Sequence, residues 1–243
     1  MNWFEYRGIR SSNMGLRIEK KDVFSAPEYD VEFKGIPGRS GDLILPNGRY
    51  PNGQVTYSVF LPAKSMQELA DKVTAVKAWL YAQQDRYHIL KDSYDSKYYR
   101  KAVFAAKLDI EDELSRIGIF TISFSCHPFR YDFGGAEPIE CTASGQAIVN
   151  PNAFASKPYI KVYGKGSGTF TIQSKGSNAS WHFERIEEYT EVDSEQMNCY
   201  KGMVLKNDTV SGSGFPQLYP GDNAITFDGG ITKVEIVPRW VTL

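Results

Sequence analysis

The sequence predicts a mostly β protein with one main helix. Three observations predict it. Runs of alternating apolar and polar residues recur along the whole chain, the signature of half-buried strands. Only one segment combines helical spacing with an N-terminal signal. Tyr (15) and Phe (14) are plentiful, and aromatic side chains favour strands.

The elements follow in order. Gly15-Leu16-Arg17-Ile18-Glu19 alternates, Asp22 to Pro27 reads as a loop, and Tyr29 to Lys34 alternates as a half-buried strand. Gly35 to Asp42 is too rich in Gly and Pro for a regular element. Asn47-Gly48 and Asn52-Gly53 are turn signals, and Gln54 to Leu61 is a strand. Ser65 followed by Glu68 makes a capping box. Met66, Leu69, Val73, Val76 and Leu80 recur at helical spacing, widened by Ala75, Ala78 and Trp79. The helix is predicted over about 66–83, its apolar stripe against a sheet.

Strands return at Arg86 to Leu90, Tyr98 to Leu108 and Ile117 to Cys126, where Pro128 is expected to end the run. Phe129 to Gly135 loses periodicity and closes on Gly134-Gly135. That places a boundary between domains 1–135 and 136–243. The second half has no helical pattern. Its short strands at regular spacing predict a β-sandwich. Gly164-Lys165-Gly166-Ser167-Gly168 lies between two alternating runs and reads as a hairpin. A phosphate loop would have to open a helix, and a strand follows instead.

Composition narrows the function. Lys+Arg number 28 against 29 Asp+Glu, a net charge of −1. Sequence-independent nucleic-acid binding needs a cationic surplus, so no such partner is expected. No apolar run reaches the roughly 20 residues of a membrane helix, and the first residues do not read as a secretory signal. Cys126, Cys141 and Cys199 are odd in number and widely spaced. They read as reduced thiols rather than a zinc site or a disulfide framework. Adjacent Cys126 and His127 should point to opposite strand faces, which excludes them as a nucleophile pair.

No catalytic constellation emerges. There is no Gly-x-Ser-x-Gly elbow. Asp92 with Asp95, and the run Glu111-Asp112-Glu113, read as solvated turns. No metal or cofactor is expected. Trp181 with His182 and Arg185 is a weak candidate for a sugar platform, against the reading of Trp181 as core. In the loop Pro37, Gly38, Arg39, Ser40 and Gly41, Arg39 offers a planar fork to a neighbouring subunit's carboxylate, or is simply solvated.

The ordered features resemble the distal tail protein (Dit) family of long, flexible-tailed phages and prophages of Gram-positive hosts. The resemblance spans nearly the whole chain. It rests on Phe4-Glu5-Tyr6-Arg7-Gly8-Ile9, Ile36-Pro37-Gly38-Arg39-Ser40-Gly41, the helix end Val76-Lys77-Ala78-Trp79-Leu80 and Gly118 to Phe129. In the second half it rests on Val149-Asn150-Pro151, Asp193-Ser194-Glu195, Pro220-Gly221-Asp222-Asn223 and Pro238-Arg239-Trp240. Family loops often carry an acidic residue where this chain has Ser40.

The resemblance implies an N-terminal tail-tube-like β-sandwich and a C-terminal galectin-like β-sandwich, without a carbohydrate-binding insertion. It implies a non-enzymatic hub, a homo-hexameric ring at the virion tail tip, made in the host cytoplasm. Implied partners are the tail tube protein, the tail-associated hub protein and a receptor-binding protein. DNA would pass through a central channel. Pro238, Arg239 and Trp240 are candidate domain or partner contacts. The alternative is a carbohydrate-binding module for host-surface recognition.

Overall fold

The structure is a computed structural model that describes residues 2–113 and 117–243. It divides into two compact units. One runs to Arg130 and includes Leu243; the other is Tyr131–Thr242. Gly134-Gly135, the predicted boundary, lies in a 3-10 turn, Phe133–Ala136, of the second unit.

The first unit comprises β1 (Phe4–Tyr6), β2 (Ile9–Arg10), β3 (Arg17–Asp22), β4 (Val31–Lys34), β5 (Leu43–Pro46), β6 (Gly53–Pro62), α1 (Met66–Tyr81), β7 (His88–Asp92), β8 (Asp95–Val103), β9 (Ile110–Glu113) and most of β10 (Ile117–Asp132). One sheet runs β2-β1-β7-β8-β10-β6-β3, with β9 also beside β10. Alternation sends Val55, Tyr57, Val59 and Leu61 of β6 inward, with Phe120, Ile122, Phe124 and Cys126 of β10. Against them α1 lays Leu69, Val76, Trp79 and Leu80.

The helix starts where its sequence says. Ser65 Oγ accepts the Glu68 amide at 3.2 Å. The other half of the capping box is displaced: Glu68 Oε2 accepts from the Lys64 amide at 2.8 Å. Glu68 also pairs with Lys72 at 2.7 Å, one turn on. The apolar stripe is narrower than its spacing predicts, because Met66, Ala75 and Ala78 are exposed.

Pro128 does not end its strand. The β6–β10 ladder stops at Cys126↔Gly53, so a residue without an amide is tolerated on that side beyond it. Glu111-Asp112-Glu113 lies in a strand rather than a turn, since β9 pairs with Ile117–Phe120 of β10.

The second unit comprises β11 (Ile139–Cys141), β12 (Gln146–Asn150), β13 (Tyr159–Ser174), β14 (Ser177–Asp193), β15 (Asn198–Lys201), β16 (Val204–Leu205), β17 (Val210–Gly212), β18 (Gly221–Phe227), β19 (Ile231–Val237) and β20 (Val241–Thr242). The order β11-β19-β13-β14-β15-β16 forms its main sheet. The long strands β13 and β14 pair along their whole length. The two ends of β13 take different partners, β19 over Tyr159–Gly164 and β18 over Phe170–Ser174. Likewise β14 pairs with β17 near Trp181 and with β15 near Asp193. The sheet thus curls over itself around one apolar core, which includes Phe170, Trp181, Phe183, Ile225 and Ile236.

Gly164 to Gly168 is therefore no hairpin. It is a bulge inside β13, with a register shift between Gly166 and Gly168. The glycines are needed because the Gly229-Gly230 backbone presses on them. A Cβ on Gly164 would lie 2.1 Å from the Gly230 carbonyl oxygen, and one on Gly168 would lie 2.7 Å from that of Asp228. The hairpin turn comes later, at Lys175-Gly176.

All three cysteines are buried free thiols. Burial pushes Cys126 up to about 12, and Cys141 and Cys199 up to about 11. Two outcomes are expected. Gly164→Ala should destabilise the protein by about 1–3 kcal/mol, as overpacking does, read by urea denaturation. The native thiols should stay silent to a thiol reagent at pH 8 and react in full only when denaturant unfolds the chain.

Candidate assembly surface

The alternation of Tyr29 to Lys34 predicts a half-buried strand. The structure corrects this: β4 is mostly solvent-exposed. Among the described residues it pairs only with β5, in a separate two-stranded sheet, through Val31↔Pro46, Glu32↔Leu45, Phe33↔Ile44 and Lys34↔Leu43. Partners across the ladder share a face. One face of this arm is thus entirely apolar: Val31, Phe33, Ile44 and Pro46. Phe33 is 66% exposed and Ile44 58%.

The arm is anchored at its base. Asp30 accepts from Asn47 Nδ2 at 2.9 Å and Arg49 Nε at 2.6 Å. Those two hydrogen bonds, Asn47's first, hold its carboxyl below the usual value. Tyr29 packs on Tyr50 with ring centroids 5.0 Å apart, and Tyr50 meets Phe129 edge-on at 5.7 Å.

The tip carries the Pro37 to Gly41 loop. The Arg39 amide donates to the Ile36 carbonyl at 3.1 Å. Pro37 and Gly38 are the central residues, and Gly38 has φ +79°, as a type II turn requires. Pro37, Gly38, Arg39, Ser40 and Gly41 are all exposed. Arg39 has no ion-pair partner among the described residues.

The Pro238-Arg239-Trp240 segment lies inside the second unit. Trp240 is buried in its core. Its backbone abuts Gly135, where a Cβ would come 2.4 Å from the Trp240 nitrogen. Pro238 offers its carbonyl to Ser156 Oγ at 2.7 Å. Arg239 forks onto Asp193, Nη1 to Oδ1 at 2.8 Å and Nη2 to Oδ2 at 2.9 Å. Asp193 also accepts the amides of Glu195 and Gln196. Its side chain is 3% exposed. Burial would raise that carboxyl, but Arg239 and the two amides outweigh it and hold it below its usual 3.8. Sequence reading found both halves of this pair without linking them.

The sugar candidates do not converge. Trp181 points into the core and donates its indole N–H to the Gly214 carbonyl at 2.7 Å. His182 and Arg185 point outward. What sequence reading missed is a cleft beside Trp181, between the β13–β14 turn and the segment leading to β18. Its residues come from stretches about 40 positions apart, so no local pattern announces it. Among the described residues, no group of three His, Cys, Asp or Glu is placed to hold a metal ion. No helix among them is long and apolar enough to cross a membrane.

This two-unit β fold with one helix is shared with solved phage proteins. The particular likeness is to the crystal structure of the SPP1 Dit protein (gp 19.1), described as a paradigm of the hub adsorption apparatus of phages infecting Gram-positive bacteria. The two match over 100% of each chain with a TM-score of 0.77 and 12% identity. Two structures of the phage p2 baseplate in its activated conformation, with Sr and with Ca, each match at 8% identity. They cover 97% of this chain and 97% and 96% of theirs, with TM-scores of 0.52 and 0.53. No family model and no curated protein matches the chain.

Arg239→Ala would strip a buried carboxylate of its partner. It should cost about 3 kcal/mol or more, read by chemical denaturation at pH 7. In the native protein the Asp193 contribution is complete above pH 3.8 and is lost as pH falls below it. Asp193→Asn should remove that share of the acid-induced loss.

Proposed function

We propose that this chain is a non-enzymatic hub of a phage tail tip. Six copies close into a ring that joins the tail tube to the tail-associated hub protein. Residues 1–135 build the ring, and 136–243 present a platform for host-adhesion components such as a receptor-binding protein. The ring sits in the virion tail, after assembly in the host cytoplasm, and DNA leaves through its central channel.

The observation that carries this reading is the bare β4–β5 arm. A two-stranded ribbon is marginal in water unless a further layer packs on it. This one exposes a continuous apolar face and an Arg39 without a counter-ion among the described residues. Such a face marks a protein contact. In this reading the arm docks on a different surface of the next copy, so the contact is heterologous. Contacts of that type repeat until the rotation closes into a ring. The net charge of −1 suits a passage that DNA traverses without being held. The full-length likeness to SPP1 Dit supports the reading.

Native mass spectrometry and negative-stain microscopy test it. At high protein concentration, or with tube and hub partners added, six-membered rings should appear. Phe33→Ser combined with Ile44→Ser should leave monomers whose melting temperature is that of the parent monomer. A chain that stays monomeric with both partners present overturns the proposal.

A further inference from the structure

The cleft beside Trp181 is a cavity of about 190 Å³. Ser174, Asn178, Trp181, Phe215, Gln217 and Tyr219 define it, and no residue lining it is charged. Ser174 Oγ is buried there and has no hydrogen-bond partner among the described residues. The side chains of Asn178, Gln217 and Tyr219 make no hydrogen bond among the described residues either.

Ser194 Oγ is also buried without a partner among the described residues in this unit, but it does not line the cleft. On the main sheet several tyrosines and lysines are committed. Tyr163 donates to Glu235 at 2.8 Å, Lys233 bridges to Glu235 at 2.6 Å, and Tyr159 donates to Glu191. Free amides and hydroxyls gather at the cleft, together with three aromatic rings.

That lining selects a ligand class. A charged ligand would find no counter-charge in the cavity wall. A purely apolar one would leave Ser174, Asn178 and Gln217 desolvated without partners, which is costly. A ligand with an apolar ring face and several hydroxyls satisfies both kinds of surface. The volume lies below the roughly 300–1,000 Å³ of drug-sized sites, so it admits one ring.

We propose that this cleft binds a single neutral sugar ring, as a terminal or branch unit of a glycan. Tyr219 and Phe215 supply the apolar walls. Ser174, Asn178 and Gln217 exchange hydrogen bonds with the sugar hydroxyls. Trp181 forms the floor, fixed by its bond to Gly214. The site differs from the Trp181, His182 and Arg185 grouping, of which only Trp181 takes part. It is complete within the second unit and does not require a ring to form.

The test uses the full chain and saturation-transfer NMR. The probes are glucose, galactose, N-acetylglucosamine and rhamnose, with glucuronic acid and glycerol 3-phosphate as charged probes. At least one neutral sugar should receive saturation and shift the Trp181 indole N–H resonance. Tyr219→Ala and Gln217→Ala, both at exposed positions, should each weaken that binding about tenfold, as losing a wall or a hydrogen bond does. Their melting temperatures should be unchanged. His182→Ala and Arg185→Ala should bind as the parent does. The proposal fails if no neutral sugar binds, if only the charged probes bind, or if Tyr219→Ala and Gln217→Ala bind like the parent. Ring formation is read separately, so failure here leaves the assembly reading standing.

Discussion

The first unit depends on the packing around Phe4. Its ring stacks on Tyr57 at 4.4 Å, lies nearly parallel to Trp79 at 5.8 Å and meets Phe124 edge-on at 5.6 Å. A strand of three residues has too short a ladder to hold itself. Burial of aromatic side chains, about 1.5–3 kcal/mol for a side chain of Phe size, does that instead. The same cluster locks the helix. Trp79 donates its indole N–H to the Tyr6 carbonyl at 3.1 Å, and Arg7 reaches the Trp79 carbonyl at 3.0 Å, near the helix C-terminus. Strand, helix and sheet therefore form one body. The β4–β5 arm takes no share in that core and is fastened through Asp30 and the Tyr29–Tyr50–Phe129 rings.

The second unit solves a different problem. It has no helix to cover a sheet, so the sheet covers itself. The bulge at Gly164 to Gly168 lets β13 serve two partners, and β14 follows it. The ends are tied by polar groups that are buried and satisfied. Asn223 accepts the Tyr219 amide and donates to the Tyr219 carbonyl, closing the turn that begins β18. Asp193 and Arg239 tie the end of β14 to the chain terminus.

The helix was legible because two independent signals agree on it, Ser65 with Glu68 and the apolar spacing. The long alternations of β6 and β10 were legible because each has one wet and one dry face. Three features were hidden for physical reasons. Alternation in β4 reports that a face needs covering but not whether the same chain covers it. Glycines at 164 to 168 report close approach or a turn, and only the neighbouring backbone decides which. Pro128 reports a missing amide, which matters only where a partner strand needs it. At the candidate sites, Arg39 was visible as an exposed cation on a turn. The cleft was not, since Ser174 and Tyr219 meet only after β14 and β17 have folded back.

The buried thiols have a consequence for durability. A chain whose cysteines are sealed and poorly ionised keeps its covalent structure when it passes from a reducing to an oxygenated medium. Oxidation falls instead on exposed thioethers such as that of Met203, where a sulfoxide disturbs no core. Weathering of such a protein begins at its skin, because the sulfur within is reached only by unfolding.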